Sequence, residues 1–233
     1  MKILAIDTSS KFLCLGIYDD TQVYGYTLEA GRQLSSLLGI TVKRVIDILG
    51  WEASDIDYFA CGLGPGSFTG MRTGVSFIKG MSFATNKPVI GISTLDILAL
   101  NAGNTDKQII PIIDAKRNLI YCSVYKIKNN RLIKIKPYML LSREEVFKNI
   151  KKDAIILGDA LDLYKENILV NINGVTLLDK DYWYPKPHNI IKIALERIKD
   201  KKLNNSFDIK PIYLYPKECQ IKVTMSQRHN VTK

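Results

Sequence analysis

Two aspartates end apolar runs nearly half a chain apart. Asp7 closes Ile3-Leu4-Ala5-Ile6, and Asp114 closes Ile109-Ile110-Pro111-Ile112-Ile113. An aspartate carried into a turn by a buried strand can help hold a metal–nucleotide; more often its side chain caps the turn itself. The two turns read Asp7-Thr8-Ser9-Ser10 and Asp114-Ala115-Lys116-Arg117. Neither has a glycine before the returning strand, so backbone amides are less free to wrap a phosphate. A third candidate is the run GLGPGSFTGMRTG from Gly62 to Gly74, with five glycines in thirteen residues. Placed between a strand-like and a helix-like segment, it could cradle a phosphate at a helix N-terminus. It has no Gly-Lys-Ser/Thr and does not fit G-x-G-x-x-G with a following acid. A tight turn or a close backbone approach is the stronger reading.

Other chemistry is thinly provided. The histidines are His188, ahead of a helix, and His229, near the end. Cysteines 14, 61, 122 and 219 form no C-x-x-C pair, which argues against zinc and redox motifs. Ser67 stands in G-P-G-S-F rather than a nucleophile elbow, and no histidine stands out as its base. Tyr121, beside the Asp114 turn, reads as a sheet residue. The catalytic and metal sets are therefore expected to be empty, with Asp7 and Asp114 as weak cofactor-binding candidates.

The elements that would position these groups follow from periodicity. Residues 2–7, 12–18, 22–28 and 56–61 read as strands, with a hairpin turn at Asp19-Asp20. Between Gly31 and Gly50 the spacing predicts a helix with a wide apolar stripe of Leu34, Leu37, Leu38, Val42, Val45, Ile46 and Leu49. Residues 71–84 predict a second helix. Gly70 and Gly74 lie four apart, as do Ser76, Gly80 and Ala84, and Met71, Val75, Ile78 and Met81 fall at helical spacing. Small residues on a helix let another backbone come close; spacing alone leaves open whether that neighbour is internal or another subunit. A strand at 89–93 and a helix capped by Ser93 or Thr94 complete this half.

The second half repeats the order: a strand into Asp114, strands at 119–127 and 131–136 joined at Asn129-Asn130, a helix opened by Ser142-x-x-Glu145, a strand at 154–157 and a helix at 190–198. The implied architecture is α/β, two βββαβα units that are each a mixed sheet with flanking helices. The expected division is 1–103, 104–215 and a loose tail over 216–233. No apolar run approaches the ~20 residues of a membrane span, and the N-terminus opens on a strand rather than a signal core, so cytoplasm is expected. The formal charge of +10 is uneven: residues 1–100 hold 8 basic and 9 acidic residues, 101–233 hold 25 and 14. A basic half can attract nucleic acid, although the same residues can simply be spread over solvated faces.

GPGSFTGMRTG together with the N-terminal ILAIDTSS resembles the bacterial TsaB (YeaZ) family. Asp114-Ala-Lys-Arg ahead of Tyr121 and Pro211-Ile-Tyr-Leu extend the resemblance over nearly the whole chain. It implies two actin-like/RNase H-like (ASKHA) units and a non-catalytic scaffold. The implied partner is TsaD, which transfers a threonylcarbamoyl group from threonylcarbamoyl-AMP to the adenine amine at position 37 of certain tRNAs. TsaE, a small ATPase, would join the pair, and a homodimer would form when TsaD is absent. No cofactor is expected on this chain alone, ATP/ADP and metal belonging to the partner subunits; tRNA would be met through the complex. Relatives of the TsaD type bind metal through two histidines four apart on a helix, whereas 32–38 here contains none, and Leu34 stands where many TsaB members keep one. Leu34, Leu38 and Val42 of the first helix, with Gly70, Met71, Gly74, Val75 and Ile78 of the second, are the expected docking surface. Gly74→Arg would then abolish partner binding in a folded monomer. The alternative is a self-sufficient ATP-dependent transferase or kinase gripping nucleotide with Asp7, Asp114 and the glycine loop.

Overall fold

A computed structural model describes residues 1–216. The expected loose tail, with Cys219 and His229, lies beyond Pro216 outside the described residues. In the first half, β1 (Ile3–Asp7), β2 (Phe12–Tyr18), β3 (Val23–Glu29), β4 (Tyr58–Gly62) and β5 (Val89–Ile92) form one sheet in the order β3-β2-β1-β4-β5. The pairs β1–β2 and β2–β3 are antiparallel hairpins, while β4 and β5 run parallel to β1. Every residue of β1 is buried, as a strand covered on both faces requires.

On one face lie α1 (Leu34–Ile48) and α2 (Phe68–Thr85), closing a core of Leu4, Ile6, Leu13, Leu15, Phe59 and Ile78. The second half holds β6 (Ile109–Asp114), β7 (Leu119–Cys122), β8 (Tyr125–Lys128), β9 (Arg131–Lys134), β10 (Met139–Ser142), β11 (Ile155–Leu157) and β12 (Thr176–Leu177). Its path β10-β7-β6-β11-β12 repeats the first sheet position for position, and the β8–β9 hairpin stands off that path on β6. This is the two-unit actin-like arrangement.

The third strand of the second unit is β10, not residues 131–136. Lys-Asn-Asn-Arg is a hairpin turn with Asn129 and Asn130 at φ 52° and 58°, which makes the segment look like the counterpart of β2–β3. The predicted strand over 119–127 is also broken, because Ser123 donates its hydroxyl to the Lys136 carbonyl at 2.7 Å and the chain departs there from β7. Besides β10, two elements escaped the sequence reading: α5 (Leu161–Asn171), which has little amphipathic contrast, and the two-residue β12. The helix at Arg143–Asn149 (α4) opens with the predicted Ser142/Glu145 capping box.

The halves exchange their last helices. After β5, α3 (Thr94–Ala99) sends Leu95, Leu98 and Ala99 into a core with Ile109, Ile113, Tyr121 and Leu157 of the second unit. After β12, α6 (Pro187–Lys199) returns to the first sheet, where Ile190, Ile191 and Ala194 pack on Ile3, Ala5, Cys14 and Ile90. Each unit therefore lacks one covering helix without the other. No helix among the described residues is long and apolar enough to cross a membrane.

Candidate functional site

Asp7 is fully buried, and its own turn uses its carboxylate. Oδ1 accepts from the Ser9 backbone N–H at 2.8 Å and the Ser9 hydroxyl at 2.7 Å; Oδ2 accepts from the Thr94 hydroxyl at 2.6 Å. Burial raises its pKa, and the Thr94 and Ser9 hydrogen bonds oppose the rise. Gly62 is a glycine because a Cβ there would collide with this carboxylate. Asp7 thus ties the end of β1 to the start of α3, close against Gly62 of β4. The Ser9 contacts are the turn cap expected from the sequence; Thr94 was missed, because a hydroxyl 87 positions away leaves no local signal.

The glycine run has an internal cause as well. Ser67 caps α2 by accepting from the Gly70 N–H at 3.2 Å, and its own N–H donates to the Ser9 carbonyl at 2.6 Å. Thr8 donates its hydroxyl to the Gly70 carbonyl at 2.8 Å. A Cβ on Gly70 would strike the Thr8 carbonyl oxygen, and one on Gly74 the Thr8 hydroxyl. The glycines let α2 lie against the turn that follows β1.

The predicted docking residues lie inward in this chain. Leu34, Leu38 and Val42 are 7%, 2% and 2% exposed, and Met71, Val75 and Ile78 are 3%, 4% and 0% exposed; Gly70 and Gly74 are buried too. Leu34, Leu38, Val42, Val75 and Ile78 face the chain's own core, Gly70 and Gly74 lie against Thr8, and Met71 reaches the space between the two units. The outward faces carry different side chains. On α1 they are Ser36, Gly39, Ile40 and Lys43; on α2, Thr69, Ser76, Gly80 and Phe83. Gly80 has open space where a Cβ would stand, while Ile40, Ile48 and Phe83 are 59%, 82% and 73% exposed. Small and apolar residues left together on neighbouring helices form a surface suited to another helix pair.

Between the two units opens a cavity of 750 Å³, with Ser10, Ser67 and Phe68 on one wall, Asp114, Arg117 and Tyr121 on the other, and Tyr213 and Tyr215 across it. Asp7 is not among its lining residues. Asp114 is, but Oδ1 accepts from the Lys116 N–H at 2.8 Å and Oδ2 meets the Lys116 ammonium at 2.6 Å. Lys116, Arg117 and Asn118 follow with φ of 64°, 54° and 58°, so this turn is left-handed without any glycine. Among the described residues no group of three or more His, Cys, Asp or Glu could hold a metal ion. Asp7 is held by Ser9 and Thr94 and Asp114 by its own turn, so neither carboxylate is unpartnered.

Asp159, beside that turn, accepts from the Asp114 N–H at 2.9 Å, and burial raises its pKa to about 6. A raised carboxylate favours the folded state while protonated. Its contribution is complete below the unfolded value near 4, is lost as pH rises through about 6, and amounts to at most about 3 kcal/mol. Asp159→Asn, which keeps the acceptor, is expected to remove that slope. Denaturant melts of both proteins from pH 4 to pH 7.5 should diverge in favour of the variant as pH rises; parallel curves would show that Asp159 does not titrate there.

Residues 28–173 match the family model described as TsaD, tRNA N6-adenosine threonylcarbamoyltransferase. The chain is 28% identical to the tRNA threonylcarbamoyladenosine biosynthesis protein TsaB of Bacillus subtilis, over 98% of this chain and 100% of that one. It is 25% identical to the protein of the same name from Escherichia coli, covering 92% of this chain and 94% of the relative. Among solved structures, YeaZ from Pseudomonas aeruginosa superposes with a TM-score of 0.80 at 21% identity, over 91% of this chain and 99% of that one. With the family model spanning more than half of the residues and both ends of the chain covered by these relatives, the chain belongs to the TsaB (YeaZ) family, within the wider family that the TsaD model describes.

Proposed function

We propose that the chain is a non-catalytic subunit in the formation of N6-threonylcarbamoyladenosine at position 37 of tRNA, pairing with TsaD and recruiting TsaE. Participation in threonylcarbamoyladenosine biosynthesis follows the relatives' names. The scaffold role rests chiefly on one observation. The exposed faces of α1 and α2 present Gly39, Ile40, Ser76, Gly80 and Phe83, a patch of small and apolar side chains on two adjacent helices. Two such helices meeting two from TsaD would make a four-helix contact, and the same faces would pair in a homodimer when TsaD is absent. The chain would work in the cytoplasm without a cofactor of its own, nucleotide and metal residing in the partner subunits. The use of Asp7 and Asp114 by their own turns supports this reading over a self-sufficient ATP-dependent transferase or kinase.

The test is product yield from purified tRNA, TsaD, TsaE, ATP and preformed threonylcarbamoyl-AMP, with and without this chain. Yield is expected to fall to background without the chain, and equally when TsaD alone is omitted. Full yield in the chain's absence would sink the proposal and bring the nucleotide-enzyme reading forward.

A further inference from the structure

The β8–β9 hairpin has no counterpart in the first unit, so neither sheet needs it for its order. Residues 125–136 contain five cations, Lys126, Lys128, Arg131, Lys134 and Lys136, and no acid. The register explains where they point. Tyr125 stands opposite Lys134 and Ile127 opposite Leu132, and Tyr125, Ile127 and Leu132 pack into the core shared with α3. Lys126 opposite Ile133 and Lys128 opposite Arg131 make up the other face, and all four are exposed. A left-handed Asn129-Asn130 turn sets the register of this face, which presents three cations and one aliphatic residue.

Lys134 sits over the Tyr138 ring and Lys136 bonds Asn149, but the charges of the outward face are less committed. Lys126 and Lys128 pair with no carboxylate among the described residues. Arg131 meets Asp200 only at 3.4 Å, and Asp200 also faces Lys202 at 3.7 Å. That pair closes one side of a 470 Å³ groove between the hairpin and the end of α6, to which Lys134, Arg197 and Lys202 add positive charge and Glu196 negative. Asp96, deeper in the groove, accepts from the hydroxyls of Tyr125 at 2.8 Å and Tyr138 at 2.9 Å and faces Arg197 at 3.4 Å. Lys202 lines the groove, and exposed Lys199 and Lys201 stand beside it in sequence at the end of α6.

We propose that the outward face of the β8–β9 hairpin, continued by the lysines after α6, is a binding surface for the phosphodiester backbone of RNA. A row of cations on alternate strand positions, side by side across a hairpin, matches a chain of regularly spaced phosphates. The outward face has no aromatic residue on which a base could stack, so it contacts backbone and reads no sequence. Ile133 and Ile135 are exposed, but without an amphipathic helix beside them they offer little apolar area to a lipid surface. The inference rests on the proposed role in tRNA modification, because it takes tRNA as the RNA concerned.

The experiment measures binding of the full chain to labelled tRNA between 50 and 200 mM salt, by fluorescence anisotropy. Lys126→Ala/Lys128→Ala/Arg131→Ala is expected to weaken binding at least tenfold at the lower salt and to flatten the log–log salt slope by about 2–3. Lys151→Ala/Lys152→Ala/Lys165→Ala, which removes the same charge elsewhere, should change binding less than threefold. Equal loss in both triple variants would show diffuse attraction and overturn the proposal, as would absence of wild-type binding at 50 mM salt. Stronger hairpin-dependent binding to vesicles containing anionic phospholipid than to tRNA would also overturn it. The two readings fail separately. A chain that is required for modification but binds tRNA no worse without its hairpin cations keeps its scaffold role and loses this surface. A chain dispensable for modification but dependent on the hairpin for tRNA does the reverse.

Discussion

Gly74→Arg is expected to unfold the chain, whereas Gly80→Arg, less than two turns further along α2, should fold normally and lose its partner. The Cα of Gly74 faces the Thr8 hydroxyl so closely that even a Cβ has no room. Arginine would push α2 off the β1 turn, break the Thr8–Gly70 hydrogen bond and place an unpaired charge among Val75, Ile78 and the sheet. Overpacking together with a buried charge costs on the order of 4 kcal/mol, a large part of a typical domain's stability. Gly80 is open to solvent, and replacing a mid-helix glycine there should raise helix stability by up to about 1 kcal/mol. Its arginine would stand in the middle of the small-residue face. There it should raise the Kd for TsaD about 100-fold, or ~3 kcal/mol, by preventing helix approach. Melting curves and pull-down from a defined TsaD preparation decide the matter. A folded Gly74→Arg that fails only to bind would restore the glycine pair to the interface. A Gly80→Arg that binds normally would move the docking surface off α2.

The contrast between these glycines shows what spacing could convey. Hydrophobic periodicity located α1 and α2, and the run into Asp114 made the second unit visible as a repeat of the first. Periodicity says which residues share a face but not what that face meets. Leu34, Leu38, Val42, Val75 and Ile78 share faces with the sheet, and the interface reading assigned those faces to a partner. The outward stripe of Ser76, Gly80 and Ala84 was present in the same spacing, yet nothing local marks it as the open side. The misplaced third strand has a similar origin. Alternation in Lys126–Lys134 is true strand alternation, and only pairing with β7 reveals that Met139–Ser142 holds the structural position. Asp7 was legible as a turn residue, but its bond to Thr94 crosses from β1 to α3.

That bond carries the second large effect. Asp7→Ala should destabilise the chain by about 4 kcal/mol, while Asp7→Asn should cost under about 1 kcal/mol. Alanine removes the acceptor of the Ser9 N–H and of both hydroxyls in a fully buried place; one hydroxyl can still donate to the other, so two donors are stranded at roughly 1–3 kcal/mol each. Asparagine keeps an acceptor at the Oδ1 position for Ser9. Its amide can donate to Thr94, whose hydroxyl can turn toward the Ser9 oxygen 2.9 Å away. It also removes a carboxylate that burial holds in a raised pKa, so at neutral pH it relieves the cost of ionisation. The pair of variants separates the two functional readings, since a carboxylate that gripped a metal–nucleotide could not be replaced by a neutral amide without loss. Urea melts of both variants, combined with the reconstituted modification assay, give the answer. A stable, fully active Asp7→Asn beside an unstable Asp7→Ala fits an aspartate whose work is to join β1 and its turn to α3. A stable but inactive Asp7→Asn would return Asp7 to the chemistry.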